Sequence, residues 1–135
     1  MIAGMAKAHE IPLPTEAELA ILQILWSAGP STVREVHTAL RMRRTGYTTT
    51  LKQMQVMTEK GLLIRSERFR SHVYEPAAPK EHTQRCIAGD LLQRAFDGSA
   101  KSLVLGALES KAASREDLVE IRRMLDEFEK RKGTK

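Results

Sequence analysis

Cysteine occurs once in this 135-residue chain, at Cys86. A single thiol excludes an intramolecular disulfide and any multi-cysteine zinc site, and it suits a reducing compartment. Aromatic residues are almost as scarce, at 4% of the chain: three Phe, two Tyr and one Trp. Leu, Ile, Met, Val and Ala must therefore fill most of the core, which favours helices over a sandwich or barrel. Long apolar runs are missing as well; LVLGAL at 103–108 falls far short of the ~18 residues that span a bilayer. The N-terminus, MIAGMAKAHEIP, has no cationic start followed by an apolar core, so it does not read as a secretory signal. These absences predict a cytoplasmic protein with no membrane partner. No GxSxG, HExxH, P-loop or dinucleotide fingerprint occurs, so neither an enzyme nor a cofactor is expected.

What is present is positive charge in one place. Twenty-two Lys and Arg against 17 Asp and Glu give +5 and an isoelectric point near 9.6. Between residues 41 and 72, Arg41, Arg43, Arg44, Lys52, Lys60, Arg65, Arg68 and Arg70 face only Glu59 and Glu67, so this segment alone carries +6. The rest of the chain is close to neutral, and a localised basic stretch suits a polyanionic partner.

Punctuation divides the chain into three parts. Residues 1–11 read as a flexible N-terminal arm. Residues 12–79 form one domain, ending at the stiff Pro76-Ala77-Ala78-Pro79 link, and residues 80–135 form another. In the first domain, Thr15-Glu16-Ala17-Glu18 is a capping box that opens a helix. Ala17, Leu19, Ala20, Leu22, Ile24, Leu25 and Trp26 form its apolar stripe, and Gly29-Pro30 ends it. Trp26 reads as the largest core residue. A second capping box, Thr32 to Glu35, starts a short helix with Val33, Val36 and Leu40 inward. After a basic loop, RMRRTG, a third helix begins around Thr48, with Thr50, Leu51, Met54 and Met57 on one buried face and Gly61 at its C-terminus. The period then changes to that of two short strands, 62–68 and 72–75, around a turn at Phe69-Arg70-Ser71.

Helix, helix, helix, hairpin is the layout of a winged helix-turn-helix. The chain thus reads as mainly α: three helices plus a β-hairpin wing, followed by a C-terminal helical dimerisation domain. In that domain the helix 80–97 places Ile87, Leu91, Leu92, Ala95 and Phe96 inward, and the helix 100–110 does the same with Leu103, Val104, Ala107 and Leu108. Ser114 caps a last helix in which Leu118, Ile121, Leu125 and Phe128 recur at the spacing of a packing seam. Leu91, Phe96, Leu103, Val104, Leu108, Leu118, Ile121, Leu125 and Phe128 are the expected dimerisation residues.

The third helix carries the residues that a helix presented N-terminus first to a major groove requires. Thr48 and Thr49 can approach phosphates or base edges, Lys52 can reach a guanine or a phosphate, and Gln53 can pair with adenine. Arg43, Arg44 and Tyr47 precede it, where backbone contacts usually lie. Arg65, Arg68 and Arg70 on the hairpin suit phosphates beside the groove. The expected partner is double-stranded operator DNA; the competing reading is a winged-helix protein-interaction adaptor that binds no DNA. His82 and Cys86, at i and i+4, could supply two ligands or a tuned thiol, but two ligands do not close a metal site, and none is expected.

LPTEAELAILQILWSAGPSTVREVHTAL, YTTTLKQMQVMTEKGLLIR and VYEP together resemble the penicillinase and methicillin-resistance repressor family (BlaI/MecI). FDGSAKSLVLGAL and EDLVEIRRMLDE resemble its dimerisation helices, and the likeness spans roughly residues 13–130. The resemblance implies a homodimeric repressor of an inverted-repeat operator. Tyr47, Thr48 and Thr49 match the family's Tyr-Thr-Thr, Arg70 its wing arginine and Trp26 its tryptophan. Lys52, Val56 and Phe69 depart from the threonine, arginine and glycine expected there, which bears on the operator sequence. The family's copper-responsive branch carries a C-terminal cysteine cluster, and its antibiotic-responsive branch is cleaved at an Asn-Phe bond. This chain has no cysteine after Cys86 and no asparagine at all. The resemblance therefore implies a sensor protease or another inducing signal as partner, without identifying it.

Overall fold

The structure, a computed structural model, describes residues 12–40, 46–68, 70–110 and 113–133. The expected N-terminal arm, the basic loop at 41–45 and Phe69 lie outside the described residues. The order of elements is α1 (Glu16–Ala28), α2 (Val33–Ala39), α3 (Tyr47–Lys60), β1 (Leu63–Arg68), β2 (Ser71–Pro76), α4 (Lys80–Ala95), α5 (Ala100–Ser110) and α6 (Arg115–Gly133). The chain divides into two compact units between Ala88 and Gly89, inside α4.

In the first unit the two capping boxes form as the sequence predicts. The Thr15 hydroxyl accepts from the Glu18 N–H while Glu18 Oε1 accepts from the Thr15 N–H at 2.9 Å, and Thr32 and Glu35 repeat the exchange. Gly29 and Gly61 end α1 and α3 with φ of 88° and 92°, where a Cβ would be strained. The core joins Ile21, Leu22 and Leu25 of α1 to Val33, Val36 and Leu40, Met54 and Met57, Leu62 and Leu63, and Tyr74. Ile21, which the expected stripe omitted, is fully buried, because the buried line of α1 runs Glu18, Ile21, Leu22, Leu25 at three- and four-residue steps. Trp26, expected to be the largest core residue, instead packs on the edge of the core and donates its indole N–H to the Ala78 carbonyl at 3.2 Å. The polar end of the ring takes it to the periphery, and Tyr74 is the largest fully buried side chain.

β1 and β2 pair antiparallel from Leu63↔Pro76 to Arg68↔Ser71, so Ser71, expected in the turn, instead opens β2. Ser31 adds a one-residue bridge to the other edge of β2: its N–H donates to the Tyr74 carbonyl at 3.0 Å, and the Tyr74 N–H donates back at 2.8 Å. α3 begins at Tyr47 with Gly46 as its cap, one residue before the expected Thr48.

The second unit holds the end of α4 with α5 and α6. Ser114 and Asp117 form a reciprocal cap on α6, as Ser114's position predicts. Among the described residues none of α5 or α6 is buried in a single copy. Leu91, Ala95, Val104 and Ala107, expected inside, are exposed, and Ile87, Leu92, Phe96, Leu103 and Leu108 are half-buried. A segment this short has too little surface to enclose them by itself. The Phe96 ring lies over Gly106, where an added Cβ would sit 3.5 Å from it.

Candidate nucleic-acid interface

α3 stands on the first unit with its N-terminal turn outward. The Thr49 and Thr50 N–H groups both donate to the Gly46 carbonyl, at 3.1 and 3.3 Å. The N–H groups of Tyr47 and Thr48 lie ahead of the first intrahelical bond, and Gly46 offers no side chain to cap them. The positive end of a 14-residue helix dipole is thereby left open to an anion. Thr48, Thr49 and Lys52 are exposed around it and Gln53 is half-buried. Thr50, next in the chain, turns inward and is fully buried, where its hydroxyl meets His37 Nδ1 at 2.9 Å. One threonine thus fixes α3 to α2 while its two neighbours face solvent.

Tyr47 is held from α2. The Arg34 guanidinium lies over its ring at 4.8 Å from the centroid, and His37 meets it edge-on at 5.9 Å. Arg34 and His37 did not figure among the sequence candidates. Their three-residue spacing on α2 is the one local signal that places them on a common face.

The hairpin distributes its arginines by strand alternation. Arg65 shares the core-facing side of β1 with Leu63 and borders a shallow cleft with Gln55, Thr58, Glu59 and Tyr74. Arg68 falls on the opposite face, and Arg70 stands at the tip with φ of 68°. All three are exposed. Arg43 and Arg44, the remaining candidates, lie outside the described residues.

Lys60, counted in the basic segment, is already engaged. Its Nζ donates to Glu18 Oε2 at 2.7 Å, which ties the last turn of α3 to the first turn of α1. Burial raises the Glu18 pKa. The Lys60 hydrogen bond, the Thr15 N–H and the Lys60 charge together outweigh burial and hold the carboxyl below its ordinary value. On the described surface of α2, α3 and the wing, the arginines and lysines left for a polyanion are Arg34, Lys52, Arg65, Arg68 and Arg70. Among the described residues no group of three or more His, Cys, Asp or Glu could hold a metal ion, and no helix is long and apolar enough to cross a membrane.

Three helices, a two-strand wing and an open helix N-terminus with Arg34 over its first residue define a winged-helix protein. A family model described as Penicillinase repressor matches residues 14–127. The chain is 32% identical over 123 residues to the transcriptional regulator BlaI of Mycobacterium tuberculosis (strain CDC 1551 / Oshkosh), spanning 89% of this chain and 88% of that protein. It is 27% identical over 124 residues to the penicillinase repressor of Bacillus licheniformis, spanning 91% and 97%. Among solved structures, the winged helix-turn-helix domain of a Mycobacterium bovis protein, a homodimer, aligns with a TM-score of 0.49 at 21% identity, over 84% of this chain and 90% of that one. The chain belongs to the penicillinase repressor family, a family of transcriptional repressors rather than enzymes.

Proposed function

We propose that the chain is a homodimeric repressor that binds an inverted-repeat operator and occludes a promoter. The observation that carries this reading is the glycine-capped N-terminus of α3, with Thr48, Thr49 and Lys52 exposed around it and Arg65, Arg68 and Arg70 exposed on the wing. In this reading α3 enters the major groove, where Thr49 and Lys52 read base edges. Tyr47, Arg65, Arg68 and Arg70 grip phosphates, which positions the protein without specifying sequence. Residues 12–79 act as the DNA-binding domain and 80–135 as the dimerisation domain, so that two copies of α3 meet successive grooves about 34 Å apart.

The apolar side chains of the second unit support pairing of two copies. Leu91, Val104, Leu118, Leu125 and Phe128 are all more than a third exposed in one copy, with Leu125 at 58% and Phe128 at 51%. Residues of this kind line an interface in soluble proteins, and two-fold pairing is its commonest form.

Titrating operator affinity against salt tests the reading. Two subunits neutralising about eight phosphates between them give a slope of log K on log salt near −7. A slope shallower than about −2 means that this basic face is not the DNA surface. Footprinting on the DNA upstream of the protein's own gene supplies the operator for the measurement.

A further inference from the structure

The first unit contains a cleft of about 180 Å³ that takes no part in the interface above. Leu22, Leu62 and Pro76 line it with apolar surface, and the first two turns of α4 present His82, Thr83 and Cys86 to it. Every lining residue belongs to the unit that ends at Ala88. Cys86 is the chain's only thiol and is exposed, and its Sγ lies 3.7 Å from His82 Nε2. Thr83 is nine-tenths buried. Its backbone N–H donates to the Pro79 carbonyl; its hydroxyl has no hydrogen bond among the described residues and is not sealed from solvent, so it is free to meet whatever occupies the cleft it lines.

A nucleophile, a base beside it, one unpartnered donor and an apolar wall are the requirements of one reaction class. We propose that this cleft is an effector site for a small α,β-unsaturated aldehyde or ketone, captured covalently at Cys86. The Thr83 hydroxyl donates to the ligand's carbonyl oxygen and its hydrocarbon tail lies against Leu22, Leu62 and Pro76. His82 takes the thiol proton, and the sulfur electron pair forms a bond to the β-carbon. The C=C π pair moves to the enolate, and the imidazolium returns its proton to the α-carbon. Atoms and electrons balance with no leaving group and no oxidant. The volume suits a ligand of about six to nine non-hydrogen atoms, since an engineered cavity of similar size takes up benzene.

The cleft also reaches the base of the wing. Gly61, which caps α3, and Ala77, whose N–H donates to the Leu62 carbonyl at 2.9 Å, both line it. A ligand wedged there bears on the joint between α3 and the hairpin, and so weakens operator binding; this effector role rests on the DNA-binding reading above.

The test treats the full chain with trans-2-hexenal and follows adduct formation by intact-protein mass spectrometry. Acrylamide, a polar Michael acceptor, serves as the reference. For hexenal the rate saturates with concentration and, at low concentration, exceeds that of the urea-unfolded chain by about tenfold, the ratio that ~1.4 kcal/mol of binding supplies. Thr83→Val slows hexenal about fivefold, the loss of one hydrogen bond. His82→Gln slows both reagents at least about tenfold. A linear dependence at the rate of the unfolded chain, or the same hexenal rate in Thr83→Val, overturns the site. The adducted protein should bind its operator at least about tenfold more weakly, a change of ~1.4 kcal/mol. Cys86→Ser protein treated identically should be unaffected. Saturable capture with unchanged operator affinity overturns the effector role. If untreated protein binds no operator, the DNA-binding reading fails and the effector role with it, while the capture rates still decide the site.

Discussion

Replacing Lys60 with methionine removes the cation that touches the buried Glu18 carboxylate. The Glu18 side chain is 9% exposed and the Lys60 side chain 32%, with 2.7 Å between Nζ and Oε2. An exposed pair of this kind contributes about 0–1 kcal/mol and breaking a fully buried one costs about 3–5 kcal/mol. With one partner buried and the other a third exposed, Lys60→Met should cost ~2 kcal/mol, between those limits. Glu18→Gln in the Lys60→Met background should restore part of the loss. An amide needs no counter-charge and still accepts the Thr15 N–H in the capping box. The double-mutant cycle isolates the pair from its packing.

The same pair sets an acid limit. Because the fold holds the Glu18 carboxyl below its ordinary value, its contribution is complete above the unfolded carboxylate pKa of ~4.3 and is lost as the pH falls through the lower folded value. Without Lys60 that loss at low pH should largely vanish. Urea unfolding followed by the fluorescence of Trp26, the lone tryptophan and part of the first unit, measures all four proteins at neutral and acidic pH. A coupling energy below about 0.5 kcal/mol at neutral pH would falsify the argument that this contact staples α3 to α1.

Two further perturbations test other parts of the molecule. Arg70 occupies the left-handed region at φ of 68°, which costs an L side chain ~1 kcal/mol. Arg70→Gly should therefore raise the unfolding midpoint while weakening binding to all DNA sequences alike, and an unchanged midpoint with unchanged affinity refutes both halves. Leu125, 58% exposed in one copy, should sit in the dimer seam. Leu125→Asp then yields a monomer in sedimentation with greatly reduced operator binding, because a single half-site contact loses the effective concentration of a linked pair. A Leu125→Asp dimer at micromolar concentration that still binds the full operator sends the seam elsewhere.

Local signals in the sequence carried a good part of this fold. The Thr15 and Thr32 capping boxes, the Gly29 and Gly61 stops and the Ser114 cap each bind partners within a few residues, so the sequence alone displays them. Long-range pairings had no such signature. The Lys60 bridge reaches back 42 residues to a glutamate already accounted for as a cap. The Trp26 indole finds its acceptor 52 residues away, which decides between centre and edge of the core in a way composition cannot. Ser31 gives no strand signal, because one residue pairing with Tyr74 has no period to read. In the site, Thr48 and Thr49 were readable as an exposed pair from the spacing of Thr50, Met54 and Met57. Arg34 and His37 were not, since their role depends on where α2 crosses Tyr47.

The one-residue bridge at Ser31 makes β2 the interior strand of the small sheet and leaves β1 as its outer edge. An open strand edge is a template on which another chain can pair, and Ile64, 49% exposed on that strand, would reward such pairing. Along the same six residues stand Arg65, Glu67 and Arg68. Charged side chains of this kind repel a second strand, so the guanidinium groups proposed to grip phosphates would also guard the free molecule against self-association. Any change that trims this edge of its charge is therefore felt in solubility as well as in affinity.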